Sequence, residues 1–203
     1  MSLLLPTYFS PISQYIAIVN SNEVVFEFED NYQKQTYRNR CYIYGPNGKQ
    51  LLNIPVKHLS NKEKKKTKDT LVDNSSQWQS QHLKSIQIAY RNSPFFEFYE
   101  DDLLPIFSKE YKFLLDVNID TYLFMTDALQ ISSNFNNTKE YIIKTENDFR
   151  HLGNAKQDLG IVFDSYTQMF DDKFGFIKNL SVLDLLFMEG PNSISFLENK
   201  SLH

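Results

Sequence analysis

The sequence predicts an α/β fold: a three-layer, Rossmann-like domain with an N-terminal βαβ unit, a β-hairpin insertion and a helical middle section. Two observations carry this prediction. Near the N-terminus an apolar run, an amphipathic helical pattern and an alternating strand pattern follow one another. Further on, Gly45-Pro46-Asn47-Gly48 separates two strand-like segments. The chain has 203 residues, which suits one domain over 1–203 with one core.

The βαβ unit begins with Leu3–Leu5, a continuous apolar run that is typical of a buried strand. Ser10-Pro11 has the residue types of a helix N-cap and first helical position. Val24–Glu29 then alternates as a half-buried strand does. The connection is long enough for a crossover, so we expect the two strands to be parallel. Apolar residues of the intervening helix lie at Ile12, Tyr15, Ile16 and Val19.

The hairpin is predicted from Cys41–Tyr44 and Leu51–Val56, which flank the Gly-Pro-Asn-Gly turn. The lysine-rich segment Asn61–Lys68 is predicted to be a loop. A helix is expected from about Ser76 to Tyr90. Its apolar face carries Trp78, His82, Leu83 and Ile86.

Two more helices are expected in the middle of the chain. Ser93-Pro94 starts one, which Pro105 ends or kinks because proline lacks the backbone donor. Asn118 is predicted to cap the other. The Phe-rich stretch Phe95–Tyr99 is open to a second interpretation, in which part of it is an oligomer interface rather than core.

The C-terminal third is predicted to hold short strands at Tyr141–Ile143 and Gly160–Phe163. A helix follows at Leu180–Glu189. Its Ser181 and Asp184 have the spacing of a capping box, with Asp in place of Glu.

Composition and charge limit the partners. The formal net charge is −4 and the pI is about 5.6, so no global positive field favours nucleic acid. No run approaches the roughly 20 apolar residues of a membrane helix, so we expect no membrane insertion. Pro6 breaks the N-terminal apolar run and no basic region precedes it, which is unlike a signal peptide. With the single Cys41 this favours a cytoplasmic location. No metal site is predicted, and the sequence leaves the cofactor unknown.

A ligand site is predicted where the first two strands end. In open parallel sheets ligands bind beyond the carboxyl ends of the strands, and the loops Pro6–Ser10 and Asp30–Arg40 leave from that edge. The first helix should also point free N–H groups there, which favours phosphate or carboxylate. Lys34, Arg38 and Arg40 add positive charge, and arginine binds phosphate in a bidentate manner. Aromatic side chains for stacking are Tyr8, Tyr32 and Tyr37.

The residues alone leave alternatives open. A polar run such as Asn31–Arg40 is often a solvated connection with ordinary surface pairs. His82, on an apolar helix face, is either a hydrogen-bonded core histidine or a catalytic base. Cys41 is either a buried structural thiol or a nucleophile, for which no histidine partner is set by spacing.

Several segments together resemble the WbqC-like protein family. They are LLPTYFSPISQY, DNYQKQTYRNRC, the Trp78 and His82 pair, AYRNSPFFEFYEDDL and NLSVLDLLFMEGP, in that order along the chain. The most specific are YQKQTYRNR and NLSVLDLLF. The resemblance runs over most of the chain and is weakest at 61–68 and 132–156.

The resemblance implies a bacterial protein of cell-surface (O-antigen type) polysaccharide biosynthesis. The expected activity is group transfer, aminoacyl or acyl, to a nucleotide-linked amino sugar. The expected ligand is an anionic small molecule such as a nucleotide sugar or a CoA ester. The alternative is a non-catalytic ligand-binding or scaffolding protein in a polysaccharide assembly.

The family's motifs place the expected site residues. The polar motif falls on Tyr32, Gln33, Lys34, Asn39 and Arg40, and Arg38 with Tyr8 joins this substrate-binding set. The tryptophan–histidine helix places His82 as the candidate base and ends at Tyr90, which is expected to bind substrate. The C-terminal motif falls on Tyr166, Gln168, Asn179, Ser181 and Asp184, of which Gln168 and Asp184 are expected to bind substrate.

Overall fold

The computed structural model describes residues 1–57, 65–156, 160–161 and 164–202. Within them the chain forms a mixed α/β fold. The strands are β1 (Ser2–Leu4), β2 (Val24–Phe26), β3 (Arg40–Gly45), β4 (Gly48–Asn53) and β5 (Asn136–Asn137). The α-helices are α1 (Ile12–Val19), α2 (Trp78–Tyr90), α3 (Phe96–Ser108), α4 (Leu114–Ala128), α5 (Asp171–Phe174), α6 (Val182–Glu189) and α7 (Asn192–Glu198).

The N-terminal βαβ unit is confirmed. β1 pairs parallel with β2, and β2 pairs parallel with β5, so the sheet order is β1-β2-β5. On the free side of β1, Leu3 makes a parallel bridge with Asp148. The chain at 148 therefore runs beside β1 in the same direction, and its continuation emerges at the carboxyl edge of the sheet.

The hairpin is confirmed as well. β3 and β4 pair antiparallel, with Gly45 opposite Gly48, so Pro46-Asn47 is the two-residue loop. Gly48 has φ +94, a left-handed conformation that glycine adopts without steric cost. Cys41 and Ile43 point into the core and are fully buried.

The core is one cluster of buried apolar side chains that draws on the βαβ unit, the hairpin, the middle helices and α6. The expected three-layer Rossmann-like arrangement is not confirmed: the structure has a small parallel sheet and a separate hairpin. In the part of the chain that is described, no helix combines the length and apolarity needed to cross a membrane.

Two details of the middle helices differ from the sequence prediction. Pro105 lies inside α3, which continues to Ser108. Asn118 does not cap a helix, because α4 already begins at Leu114. Instead the buried Asn118 amide donates to the Pro6 carbonyl oxygen at 3.1 Å and so ties α4 to the loop after β1.

The structure also differs from the prediction in the C-terminal third. Tyr141–Ile143 is not a strand, and the polar segment before it contains β5, which the sequence did not predict. Of Gly160–Phe163, residues 162–163 lie outside the described residues, and 160–161 are not in a strand. Residues 61–64 of the predicted loop Asn61–Lys68 are also outside them, and its end overlaps a 3₁₀ turn at Thr67–Asp69.

Asp184 is not part of a capping box. Ser181 does cap α6, since its hydroxyl accepts from the Leu183 N–H at 3.3 Å. The Ser181 N–H, which a capping box would give to Asp184, donates to the Tyr42 carbonyl oxygen instead. The Asp184 carboxylate points inward and is fully buried.

The N-terminus of α1 is closed by the chain that leads into α6. The Ile12 N–H donates to the Leu180 carbonyl oxygen at 3.0 Å, and the Ser13 N–H donates to Asn179 Oδ1 at 3.0 Å. The expectation that free N–H groups of this helix face a ligand is therefore wrong. A distant segment satisfies these donors, which sequence spacing does not reveal.

Asn179 is predicted to be a stability determinant. It has φ +54, which asparagine tolerates and alanine does not. Asn179→Ala should lower the free energy of unfolding by about 1–3 kcal/mol, through loss of the cap and backbone strain. Asn179→Asp keeps the acceptor and should stay close to wild type in urea unfolding. An alanine variant as stable as wild type would contradict this role.

Candidate functional site

A polar cleft of about 560 Å³ opens at the carboxyl edge of the parallel sheet. Leu5, directly after β1, is one of the residues that line it. The loop after β2 contributes Asp30, Asn31, Gln33, Thr36 and Arg38. The segments beside β5 and β1 contribute Tyr141, Asp148, Arg150, His151, Gly153 and Asn154. This is the edge that sheet topology predicts for a ligand.

The carboxylate of Glu27 holds this edge together. It lies directly after β2 and is fully buried. Its oxygens accept hydrogen bonds from Thr138 Oγ1 (2.6 Å), the Ile142 N–H (3.0 Å) and Arg150 Nη1 (3.3 Å). The Glu29 N–H donates at 2.9 Å. A buried carboxylate requires such donors, so three separate segments converge on the end of β2.

One wall of the cleft is the ion pair between Arg38 and Asp30. Arg38 Nη2 donates to Asp30 Oδ2, and both side chains are almost completely buried. Arg38 Nε and Asp30 Oδ1 are shielded from solvent and have no hydrogen-bond partner. Leaving a buried polar atom without a partner costs roughly 1–3 kcal/mol, so this wall carries two polar atoms whose burial the fold alone does not explain.

Another part of the cleft lining is built on Arg150. Its Nε donates to Asp148 Oδ1 at 2.9 Å, and Nη2 donates to Asp148 Oδ2. The hydrogen bonds from Arg150 hold the pKa of Asp148 below its ordinary value. The guanidinium also lies 4.9 Å from the ring centre of Tyr141, which is half exposed. The cleft thus has a fixed cation beside an accessible aromatic ring.

His151 follows Arg150 and is exposed at the cleft. Its Nδ1 lies 3.1 Å from the Asp148 carbonyl oxygen. A carbonyl oxygen only accepts, so Nδ1 carries a proton, and in the neutral ring Nε2 is left as a proton acceptor. No sequence pattern distinguishes Arg150 or His151, because the bridge between Asp148 and Leu3 is what brings them to this edge.

The predicted polar motif is split by the structure. Gln33 and Arg38 line the cleft, and Lys34 is exposed beside Gln33. Asn39 is buried, and its Nδ2 donates to the Ile54 carbonyl oxygen at 2.9 Å. It therefore fastens the hairpin. The half-buried Tyr32 and Arg40 do not line the cleft.

Tyr8 and His82 lie in the core. The Tyr8 hydroxyl is 3.0 Å from His82 Nδ1, and the Trp78 ring centre is 5.3 Å from that of His82. Burial lowers the pKa of His82 to about 4, against a hydrogen bond with the Asn53 backbone that raises it. This position fits the alternative of a packed core histidine. Cys41 is fully buried, which raises the pKa of its thiol.

Tyr90, Gln168 and Asp184 form a separate buried network. Asp184 Oδ1 accepts from the Tyr90 hydroxyl at 2.7 Å, and Oδ2 accepts from Gln168 Nε2 at 2.8 Å and from the Tyr166 hydroxyl. Burial raises the pKa of Asp184, and these donors oppose the shift. None of the network residues lines the cleft. The C-terminal family motif therefore meets in space, but away from the cleft.

Fold and cleft together define a mixed α/β protein with a polar cleft at the carboxyl edge of a parallel sheet. The sequence model of the WbqC-like protein family matches residues 6–162, which is well over half of the chain. The chain therefore belongs to the WbqC-like protein family. No curated protein and no solved structure matches it. The family name is consistent with a polysaccharide-associated role.

His82 should make stability depend on pH. Its pKa is about 4 in the folded protein and 6.5 for the ordinary group. Between these values the unfolded chain binds a proton that the folded chain does not, so stability falls as pH falls from 6.5 to 4. Between pH 7.5 and 4.5 this contribution is about 2–3 kcal/mol.

The measurement is urea unfolding of wild type, His82→Gln and His151→Gln at both pH values. We expect His82→Gln to lose less stability on acidification than wild type does, whereas the exposed His151→Gln keeps the wild-type dependence. Equal losses in wild type and His82→Gln would contradict the assignment.

Proposed function

We propose that the protein binds a nucleotide-linked amino sugar, with the sugar in the carboxyl-edge cleft, and transfers an acyl or aminoacyl group to it in cell-surface polysaccharide biosynthesis. The observation that carries the proposal is the cleft wall in which Asp30 Oδ1 and Arg38 Nε are buried without partners. Membership of the WbqC-like family supports the polysaccharide context.

The cleft has the chemistry of a sugar site. Sugar hydroxyls both donate and accept hydrogen bonds, and the cleft offers acceptors at Asp30 and Asp148 and donors at Arg38 and Arg150. The apolar face of a sugar ring packs on aromatic rings, and Tyr141 is 53% exposed at the cleft. A few placed polar groups with one apolar platform are typical of small-molecule sites.

The transfer needs a group that removes a proton. The amine nitrogen of the sugar attacks the carbonyl carbon of an activated donor such as a CoA ester, the thiolate leaves with the bonding electrons, and the nitrogen loses a proton. We assign the proton to His151 Nε2, which the Nδ1 contact with the Asp148 carbonyl leaves as an acceptor. His82 is left out of the chemistry because it is buried and bonded to Tyr8.

Ligand binding tests the cleft. A nucleotide-linked amino sugar should raise the melting temperature of wild type. Gln33→Ala and Tyr141→Ala should weaken binding about 5- to 30-fold in calorimetry, since each loses roughly 1–2 kcal/mol of contact. The matched control is Gln81→Ala, an exposed glutamine on α2 away from the cleft. A panel of such sugars that shifts nothing would remove the main support.

Turnover tests the proton acceptor. With a binding sugar and an acyl donor supplied together, mass spectrometry should detect the acylated sugar. His151→Gln should lower the rate at least 100-fold, the usual scale for a general base, without changing the affinity for the sugar. His82→Gln should keep the rate at a temperature where it is folded. If His82→Gln lost the rate and His151→Gln kept it, His82 would be the proton acceptor instead.

A second candidate is a binding or scaffolding partner in the same assembly, without chemistry of its own. The observation that favours it is the exposed apolar surface at Phe98 and Ile88, which are 74% and 59% exposed. The Phe-rich stretch is thus divided, with Phe96 buried and Phe98 outside. Sugar binding without turnover for any donor would favour this candidate.

A further inference from the structure

We propose that Arg40, and not Arg38, binds the anionic part of the ligand, so that a diphosphate lies beside the first residues of the hairpin while the sugar enters the cleft. For the sugar half, this assignment rests on the proposed function. For the diphosphate half, it rests on the unpaired guanidinium of Arg40.

The four arginines of the chain are all within the described residues, and they differ in how they are paired. Arg38 is buried against Asp30, and Arg150 is held by Asp148 and Glu27. Arg91 is exposed. Arg40 is half-buried, yet no acidic side chain of the described residues pairs with it.

The Nε atom of Arg40 is also shielded from solvent without a hydrogen-bond partner. Because Nε is shielded, a ligand reaches Arg40 through its two Nη groups, which form a bidentate fork that matches two oxygens of a phosphate. No ion pair with the described residues occupies these groups, so an incoming phosphate would meet donors that folding leaves open. Arg38 is less suited, because an anion would compete with the carboxylate of Asp30 for the same donors.

The surroundings of Arg40 suit a nucleotide or a similar aromatic diphosphate. The positive charge of Arg40 acts on the hydroxyls of Tyr32 and Tyr37, opposing the rise that burial causes in the pKa of each. The Tyr37 ring packs edge-on against Tyr42, at 6.1 Å between centres. Lys49 Nζ lies 4.3 Å from the centre of the Tyr42 ring. The hairpin face, defined by Arg40, Tyr42 and Lys49, thus combines cations with aromatic rings.

This face is continuous with the cleft. Thr36 lines the cleft, and the adjacent Tyr37 packs against Tyr42, which lies two residues from Arg40 on β3. Arg38 lines the cleft, and so does Gln33, the neighbour of Tyr32. One ligand with a sugar and a diphosphate can therefore occupy both places.

The test uses inorganic pyrophosphate, a nucleoside diphosphate (UDP) and CoA as probes in isothermal titration of the full chain. Wild type should bind pyrophosphate. Arg40→Gln should weaken binding at least tenfold, Arg40→Lys should weaken it less because it keeps the charge without the fork, and Arg91→Gln should match wild type. The stronger of UDP and CoA identifies the source of the diphosphate.

Three results would overturn the assignment: no pyrophosphate binding by wild type, equal affinity in Arg40→Gln, or equal loss in Arg91→Gln. If circular dichroism shows that Arg40→Gln does not fold, Arg40→Lys alone tests the assignment. An unchanged pyrophosphate affinity in Arg40→Lys would then contradict it. A different result would count against the proposed function alone. Pyrophosphate binding would then depend on Arg40, but a nucleotide-linked amino sugar would bind no more tightly than its nucleotide, and Gln33→Ala would not change its affinity. Sugar binding that needs Gln33 but not Arg40 would remove only the present assignment.

Discussion

The buried carboxylate of Glu27 is the interaction on which the functional edge depends. A charge at the end of a central strand is costly unless donors surround it, and the donors come from Thr138, Ile142 and Arg150. Because these donors all reach Glu27, the chain after β5 and the chain beside β1 both lie at the end of β2. The cleft follows from that convergence, because it brings Tyr141 and Arg150 into the cleft lining.

Several polar residues of the predicted family motif have hydrogen-bond partners within the fold. Asn179 closes the first helix, Ser181 caps α6, and Asp184 collects donors from Tyr90 and Gln168. Polar side chains that satisfy buried groups tolerate few substitutes, since removing one leaves its partner unpaired. A polar motif in a sequence can therefore mark an internal constraint as readily as a binding site.

The fold was predictable where local patterns are strong. The βαβ unit, the hairpin and α2 follow from hydrophobic periodicity and the glycine-rich turn. Prediction failed where distant residues decide: Asn118 has the residue type of a cap but bonds to Pro6, and β5 is too polar and short to recognise. For the candidate site, topology indicated the edge at which the cleft lies, and Gln33 and Arg38 line that cleft. It missed Arg150 and His151, which no local pattern distinguishes.

The sequence by itself determined the family, the parallel start of the fold and the loop that faces the carboxyl edge, because these depend on residues close together along the chain. Only the tertiary structure decided which arginine of the polar motif is paired with an acidic side chain. Arg38 and Arg40 are two residues apart and chemically identical, yet only Arg38 meets a buried acid, Asp30. Pairing depends on which distant side chains a position meets, and the core sets that by burying one guanidinium and leaving the other half open.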